Sequence, residues 1–251
     1  MIYEILARLD DLKNEERAQI LQGFFKTGPG QYGEGDVFLG ITVPILRRLA
    51  GEYANTSLET PLTLLTHPFH EARFLALLLL IQAFRKGNHG RKQEIFDTYL
   101  DHTRFINNWD LVDLSAPNIA GAYLMDKNRG ILSELAGSSL LWERRIAIVA
   151  TFPFIRNREF TDTLQISDRL LNDEEDLIHK SVGWMLREVG KRDAEVLENF
   201  LQARCKIMPR TMLRYAIEKF SEGKRQKYLN GSFSLLKLSF FYLQPGRHAK
   251  N

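Results

Sequence analysis

Cysteine, long apolar runs and an excess of one charge are what this chain has least of. A single cysteine, Cys205, among 251 residues has no disulfide partner and points to a reducing compartment. The longest uninterrupted apolar run, Phe74 to Ile81, is eight residues, against the roughly 20 that cross a bilayer, so no membrane span is expected. The opening residues, Met1-Ile2-Tyr3-Glu4-Ile5-Leu6-Ala7-Arg8, carry charge where a secretory signal is apolar, and the expected location is cytoplasmic. Charge is nearly balanced, 34 Lys+Arg against 31 Asp+Glu. Six of those cations (Lys224, Arg225, Lys227, Lys237, Arg247, Lys250) face one acid, Glu222, in residues 222–251, which leaves the first 221 residues slightly acidic. A nucleic-acid site would therefore need cations gathered on one side of the body, because bulk charge does not supply it. What is present is a core's worth of apolar residues, 44%, which excludes a disordered chain, a collagen-like repeat and a disulfide scaffold.

Strict apolar–polar alternation is also nearly absent, whereas apolar residues recur at i, i+3, i+4 and i+7 through most of the chain. This predicts an all-α protein, with helices over 2–10, 13–26, 43–54, 57–65, 69–85, 90–101, 107–125, 129–137, 140–152, 159–171, 175–192, 194–204 and 208–221. The breaks coincide with Gly87-Asn88-His89-Gly90, Asp126 to Gly130, Asn172-Asp173 and the prolines at 68, 153 and 209. The helices come in pairs, and their second members superimpose at a spacing of 36 residues, with positions 73, 109, 145 and 181 equivalent. Two helices per unit at that period predict an α-solenoid of HEAT-like repeats with a concave inner face lined by the second helices; the alternative is a plain helical bundle. Residues 1–221 are expected to form one repeat domain. Residues 222–251 form a basic extension, in which Phe233 to Leu243 is an apolar segment suited to packing on the last repeat.

Several chemistries drop out on local grounds. Gly28-Pro29-Gly30-Gln31-Tyr32-Gly33 matches the dinucleotide-binding glycine pattern but follows a helix and lies in no βαβ unit, so it reads as a flexible loop. His67-Pro68-Phe69-His70 has no second ligand pair to complete a tetrahedral site, and neither metal nor cofactor is expected; Pro68 in the first turn of a helix accounts for the local sequence. Cys205 has no nearby His to activate it. The informative residues are the tryptophans: Trp109, Trp142 and Trp184 all fall on second helices. Trp109 shares a face with Asp113 at i, i+4, and Lys180, Trp184 and Arg187 share another at i, i+4, i+7. Arg145 holds the equivalent repeat position between them. Either these side chains converge in one groove, or the indoles are core residues and Asp113 pairs with an arginine.

Asn108-Trp109-Asp110-Leu111-Val112-Asp113, Trp142-Glu143-Arg144-Arg145-Ile146-Ala147 and Lys180-Ser181-Val182-Gly183-Trp184-Met185-Leu186-Arg187-Glu188 closely resemble segments of the AlkD-like family of HEAT-repeat alkylpurine DNA glycosylases. Phe38-Leu39-Gly40-Ile41 with Val43-Pro44 is similar to that family's segment after its first helix pair, and the likeness spans roughly residues 13 to 220. It implies a metal-free, monofunctional hydrolase, monomeric, that removes cationic N3- or N7-alkylated purines from double-stranded DNA. It further implies Asp113 as the catalytic carboxylate, Trp109 and Trp184 flanking the lesion, and Arg145 and Arg187 on the DNA backbone; Lys180, Arg144 and Phe24 complete the expected DNA-binding set. Phe24 stands where the family often has Tyr.

The residue types suit that chemistry. A cationic purine already leaves easily, and what needs stabilising is positive charge developing on the sugar, which a fixed carboxylate supplies. Indole faces attract cations by roughly 0.5–2 kcal/mol. The rival is a non-catalytic repeat module that binds DNA or protein, although a carboxylate in a phosphate-binding groove costs such a module affinity. A solenoid that binds only protein predicts Arg145, Lys180 and Arg187 paired with acids.

Overall fold

The protein is described by a computed structural model over residues 1–231; Phe233 to Leu243 lie outside the described residues. Among these there are helices and turns but no strand, save an isolated bridge between Val37 and Phe69. The helices are α1 (Ile2–Asp11), α2 (Glu15–Phe24), α3 (Val43–Glu52), α4 (Glu59–Leu65), α5 (His70–Lys86), α6 (His89–Asp101), α7 (Trp109–Ser115), α8 (Gly130–Ala136), α9 (Leu141–Val149), α10 (Phe152–Arg156), α11 (Thr161–Arg169), α12 (Asp176–Arg192), α13 (Ala194–Arg204), α14 (Arg210–Ala216) and α15 (Glu222–Leu229).

Their packing has the order of a helical-repeat solenoid. One layer runs α3, α5, α7, α9, α12, α14, each helix against the next, and a second layer containing α4, α8 and α11 backs it. The four positions spaced by 36 residues fall on successive members of the first layer: Arg73 on α5, Trp109 on α7, Arg145 on α9 and Ser181 on α12. Each unit buries its apolar stripe against its neighbours, and the buried residues form one continuous cluster from Ile5 to Tyr228. After a polar first turn, helix α5 is apolar around its whole circumference, because α3, α4, α6 and α7 enclose it, and Phe74 to Ile81 are all buried. Gly183, inside α12, permits the close approach of α14: a Cβ there would lie 2.5 Å from both the Met212 carbonyl oxygen and the Tyr215 Cβ.

Three elements differ from the expected boundaries. The predicted helix over 107–125 is broken. Helix α7 ends at Ser115, and Pro117–Gly121 forms a wider turn closed by a bond from the Gly121 N–H to the Ala116 carbonyl, 2.8 Å; Pro117 brings no N–H to a regular ladder. Residues 152–156, where Pro153 signals a stop, begin a new short helix with that proline in its first turn. The packed structure also continues past residue 221: α15 buries Tyr228, and Lys224 pairs with Glu198.

Candidate functional site

The first turn of α7 is fastened from below by a buried polar cluster. His70, at the start of α5, lies between two carboxylates, with Nδ1 2.8 Å from Asp36 Oδ2 and Nε2 2.8 Å from Asp110 Oδ2. Arg73 also bonds Asp36, and the buried Asn108 donates to it at 3.3 Å while its own Oδ1 accepts the Trp109 N–H. Burial alone would lower the imidazole pKa, but hydrogen bonds and charge from Asp110 and Asp36 outweigh it and hold His70 up at about 9. At neutral pH it is therefore a cation clamped between two helices and a loop. Glu71, beside it, accepts the backbone N–H groups of Leu39, Gly40 and Ile41 at 2.8, 2.8 and 3.1 Å. That cradle explains Phe38-Leu39-Gly40-Ile41: Gly40 has φ +80°, and a Cβ on it would collide with the Asn14 carbonyl oxygen.

From this base rises an aromatic stack. The His70 ring lies on Phe38 at 4.4 Å between centroids, Phe38 on Phe25 at 4.9 Å and Phe25 on Trp109 at 5.2 Å, and Phe24 meets Trp109 edge-on at 6.1 Å. Trp109 is thus half-buried, one face held by protein. Phe24, 61% exposed, stands beside it.

One helical turn on from Trp109, Asp113 receives two hydrogen bonds from Arg145, from Nε at 3.0 Å and Nη2 at 2.9 Å. The third guanidinium nitrogen donates to the Leu177 carbonyl at 2.5 Å. This fork fixes the carboxylate. The Asp113 side chain remains 22% exposed where that of Arg145 is 6%. Burial raises the Asp113 pKa above the ordinary aspartate value, Arg145 pulls it down, and Asp110 adds to the rise. The open side of Asp113 forms part of the wall of a pocket of about 280 Å³, together with Pro117, Asn118, Phe152, Pro153, Arg156 and Trp184. Trp184 lies 6.1 Å from the Phe152 ring. A negative, partly desolvated oxygen pair facing aromatic walls is a surface that favours a cation.

The residues singled out in the sequence are distributed unequally around this point. Asp113 and Trp184 line the same pocket; Trp109 packs instead on the aromatic stack, on the neighbouring side of α7. Trp142, half-buried on α9, meets Tyr32 of the glycine-rich loop edge-on at 6.1 Å. Arg145, expected on the DNA backbone, has all three of its nitrogens engaged within the protein, so its place is behind Asp113. Arg144, expected there too, is committed to Asp173 (2.6 and 3.3 Å) and to the carbonyls of Ser138 and Ser139. Lys180 pairs with Asp176 at 2.8 Å and Arg187 with Glu218. All three cations that a protein-binding solenoid would pair with acids are so paired. The Lys180 pair is on the surface, where such a pair contributes little and exchanges readily for a phosphate; Arg187 is more enclosed, 18% exposed, and only its partner Glu218 is open to solvent.

Sequence reasoning misses the polar cluster under α7. Pro68 alone accounts for the segment around His70 in a reading by pattern, and the signal that could have found the cluster is Asp110, three residues before Asp113 in a motif already singled out. Among the described residues no group of three or more His, Cys, Asp or Glu could hold a metal. Cys205 is buried, and burial raises its pKa, which leaves an unreactive thiol. No helix among the described residues is long and apolar enough to cross a membrane.

An all-helical repeat scaffold that holds a fixed carboxylate against aromatic walls is the class that fold and site define. Residues 5–220 match the sequence profile of the family described as DNA alkylation repair enzyme, and the chain belongs to that family, in its AlkD-like form. A solved structure titled as a predicted DNA alkylation repair enzyme from Enterococcus faecalis is similar at a TM-score of 0.67 and 18% identity, with 84% of this chain and 97% of that one covered; the likeness is one of fold. No curated protein sequence matches.

Proposed function

We propose that the protein is a monofunctional DNA glycosylase that hydrolyses the N-glycosidic bond of cationic N3- or N7-alkylated purines in duplex DNA. The observation that carries this reading is Asp113, a carboxylate locked by Arg145 yet open to a pocket faced by Trp184, on the scaffold of a DNA alkylation repair family. Such a group stabilises positive charge building on the deoxyribose as the base departs and can orient the attacking water. Because the bidentate bond is preformed, little reorganisation accompanies the reaction. The leaving purine is already cationic, so no general acid is required, and the shallow site suits attack from the backbone side without a deep base-flipping pocket. Trp109, braced by the Phe25, Phe38 and His70 stack, and Trp184 flank the lesion nucleotide. Lys180, Arg187 and the exposed Phe24 face the DNA, and Arg145 serves by holding Asp113.

The pairing of Lys180 with Asp176 and of Arg187 with Glu218 favours a second reading, a repeat module that binds protein. One experiment separates the two: incubation of the protein with duplex DNA containing 7-methylguanine. Free 7-methylguanine with an intact abasic strand, cleaved only by later alkali, is the expected product. No base release and no duplex binding would leave the protein-binding module.

A further inference from the structure

The cations that the family resemblance assigns to DNA are held by acids, but one at the Asp113 pocket is not. Arg156, the last residue of α10, is exposed, lines that pocket and, among the described residues, has no carboxylate within salt-bridge distance. Its guanidinium lies 5.8 Å from the centroid of Phe152, the ring against which Trp184 rests. On the same wall, Asn118 donates from Nδ2 to the Leu114 carbonyl at 2.8 Å, and its Oδ1 accepts from Arg85 at 2.8 Å. The amide is therefore held in one orientation with its second hydrogen uncommitted. Arg85, like Arg156, has no acid partner among the described residues.

A carboxylate next to DNA repels the phosphates around it. Arg145 offsets part of that repulsion from inside, but it is buried with its donors spent. A free guanidinium at the mouth of the pocket can offset the rest and bind a phosphate through two parallel bonds. A pocket of about 280 Å³ sets a carboxylate, an amide and a guanidinium around flat proline and aromatic walls, a cation-favouring wall beside two donors for the oxygens of a sugar and its phosphate. We propose that Arg156 grips a backbone phosphate adjoining the damaged nucleotide and that, with the amide of Asn118 held by Arg85, it seats the deoxyribose against Asp113. This inference rests on the glycosylase reading, in which the pocket faces DNA.

The test is duplex binding over a range of salt, on DNA carrying a tetrahydrofuran abasic analogue that cannot be turned over. Wild type, Arg156→Ala, Arg156→Lys and Arg91→Ala are compared, the last removing a cation on α6. One phosphate contact contributes about 0.9 to the slope of log K against log salt. Arg156→Ala should lower that slope by about one and weaken binding about tenfold, with an unchanged melting temperature, since Arg156 holds no acid. Arg156→Lys should restore the slope but not the full single-turnover excision rate, read separately on duplex DNA containing 7-methylguanine, because an ammonium cannot make the paired bonds. Arg91→Ala should match wild type. A slope and affinity for Arg156→Ala equal to those of Arg91→Ala would overturn the assignment. Wild-type protein that binds duplex with normal salt dependence but releases no base refutes the glycosylase reading while Arg156 is still judged on the binding slope; absence of duplex binding overturns both.

Discussion

Replacing Asp113 with Asn removes one charge and almost no volume, so the consequences can be worked from the contacts of that one carboxylate. If it stabilises a cationic transition state, single-turnover excision should fall by a factor of at least about 100, roughly 3 kcal/mol of barrier. DNA affinity should hold or improve, since a negative charge beside the phosphates is gone. The same substitution also breaks the bidentate pair with a nearly buried Arg145. An uncompensated buried charge typically costs about 3–5 kcal/mol. Arg145 keeps the Leu177 carbonyl and the amide oxygen as acceptors, and Asp113 is partly exposed, so about 2–4 kcal/mol is expected. For a chain of this length that lowers the melting temperature by about 5–15 °C. Lost activity in the single variant is therefore ambiguous unless folding is followed alongside it.

The double variant Asp113→Asn, Arg145→Met resolves the ambiguity. Removing both charges abolishes the unpaired guanidinium, so much of the stability should return. If Asp113 is only a structural partner, excision should return with it. If Asp113 is the catalytic carboxylate, the double variant should be stable, bind duplex DNA and remain at least about 100-fold slow. Recovery of near wild-type excision in the stable double variant would refute the catalytic assignment, as would wild-type rates for folded Asp113→Asn.

The same geometry sets further outcomes. Because the Asp113 pKa is raised by burial and only its ionised form stabilises a cation, single-turnover excision should decline on acidification at a pH above the ordinary aspartate range, and a limb at or below that range would contradict it. His70 titrates near 9 in the folded protein against about 6.5 unfolded; its contribution, on the order of 3 kcal/mol, is present below about pH 6.5 and lost as pH rises through 9. Chemical denaturation should show that loss in wild type and a flatter profile in His70→Gln. Gly40→Ala, which would force a side chain into φ +80° against the Asn14 carbonyl and disturb the Glu71 cradle, should cost about 2 kcal/mol or more; a melting temperature within a degree of wild type would be inconsistent with that contact. Excision should proceed unchanged with a chelator present, and a loss reversed by added metal would expose a site that no cluster in residues 1–231 accounts for.

The parts of this protein that are legible in its sequence are those fixed by local periodicity. Apolar spacing locates the layer α5, α7, α9 and α12, and a constant interval of 36 residues places Arg73, Trp109, Arg145 and Ser181 on successive helices, because each repeat unit buries the same face. The helix end at Ser115 is hidden, since Trp109 to Met125 keeps a helical pattern that only Pro117 interrupts, and a wider turn absorbs that proline with its apolar face intact. Ion pairs are harder still. Asp113 meets Arg145 across 32 residues and Asp36 meets Arg73 across 37. Both pairs join one first-layer helix to the unit before it, so the angle between units decides whether an arginine turns inward to a carboxylate or outward to solvent, and no local pattern encodes that angle. The four cations expected on DNA, Arg144, Arg145, Lys180 and Arg187, are all held by acids. The one at the Asp113 pocket without an acid, Arg156, stands on a short helix that begins where Pro153 signals a stop. In this scaffold the inward arginines build the rigid floor of the site. On the glycosylase reading, phosphate contact at the Asp113 pocket is proposed for Arg156, at a break between helices, where a side chain can leave the packed layer without leaving a carboxylate unpaired.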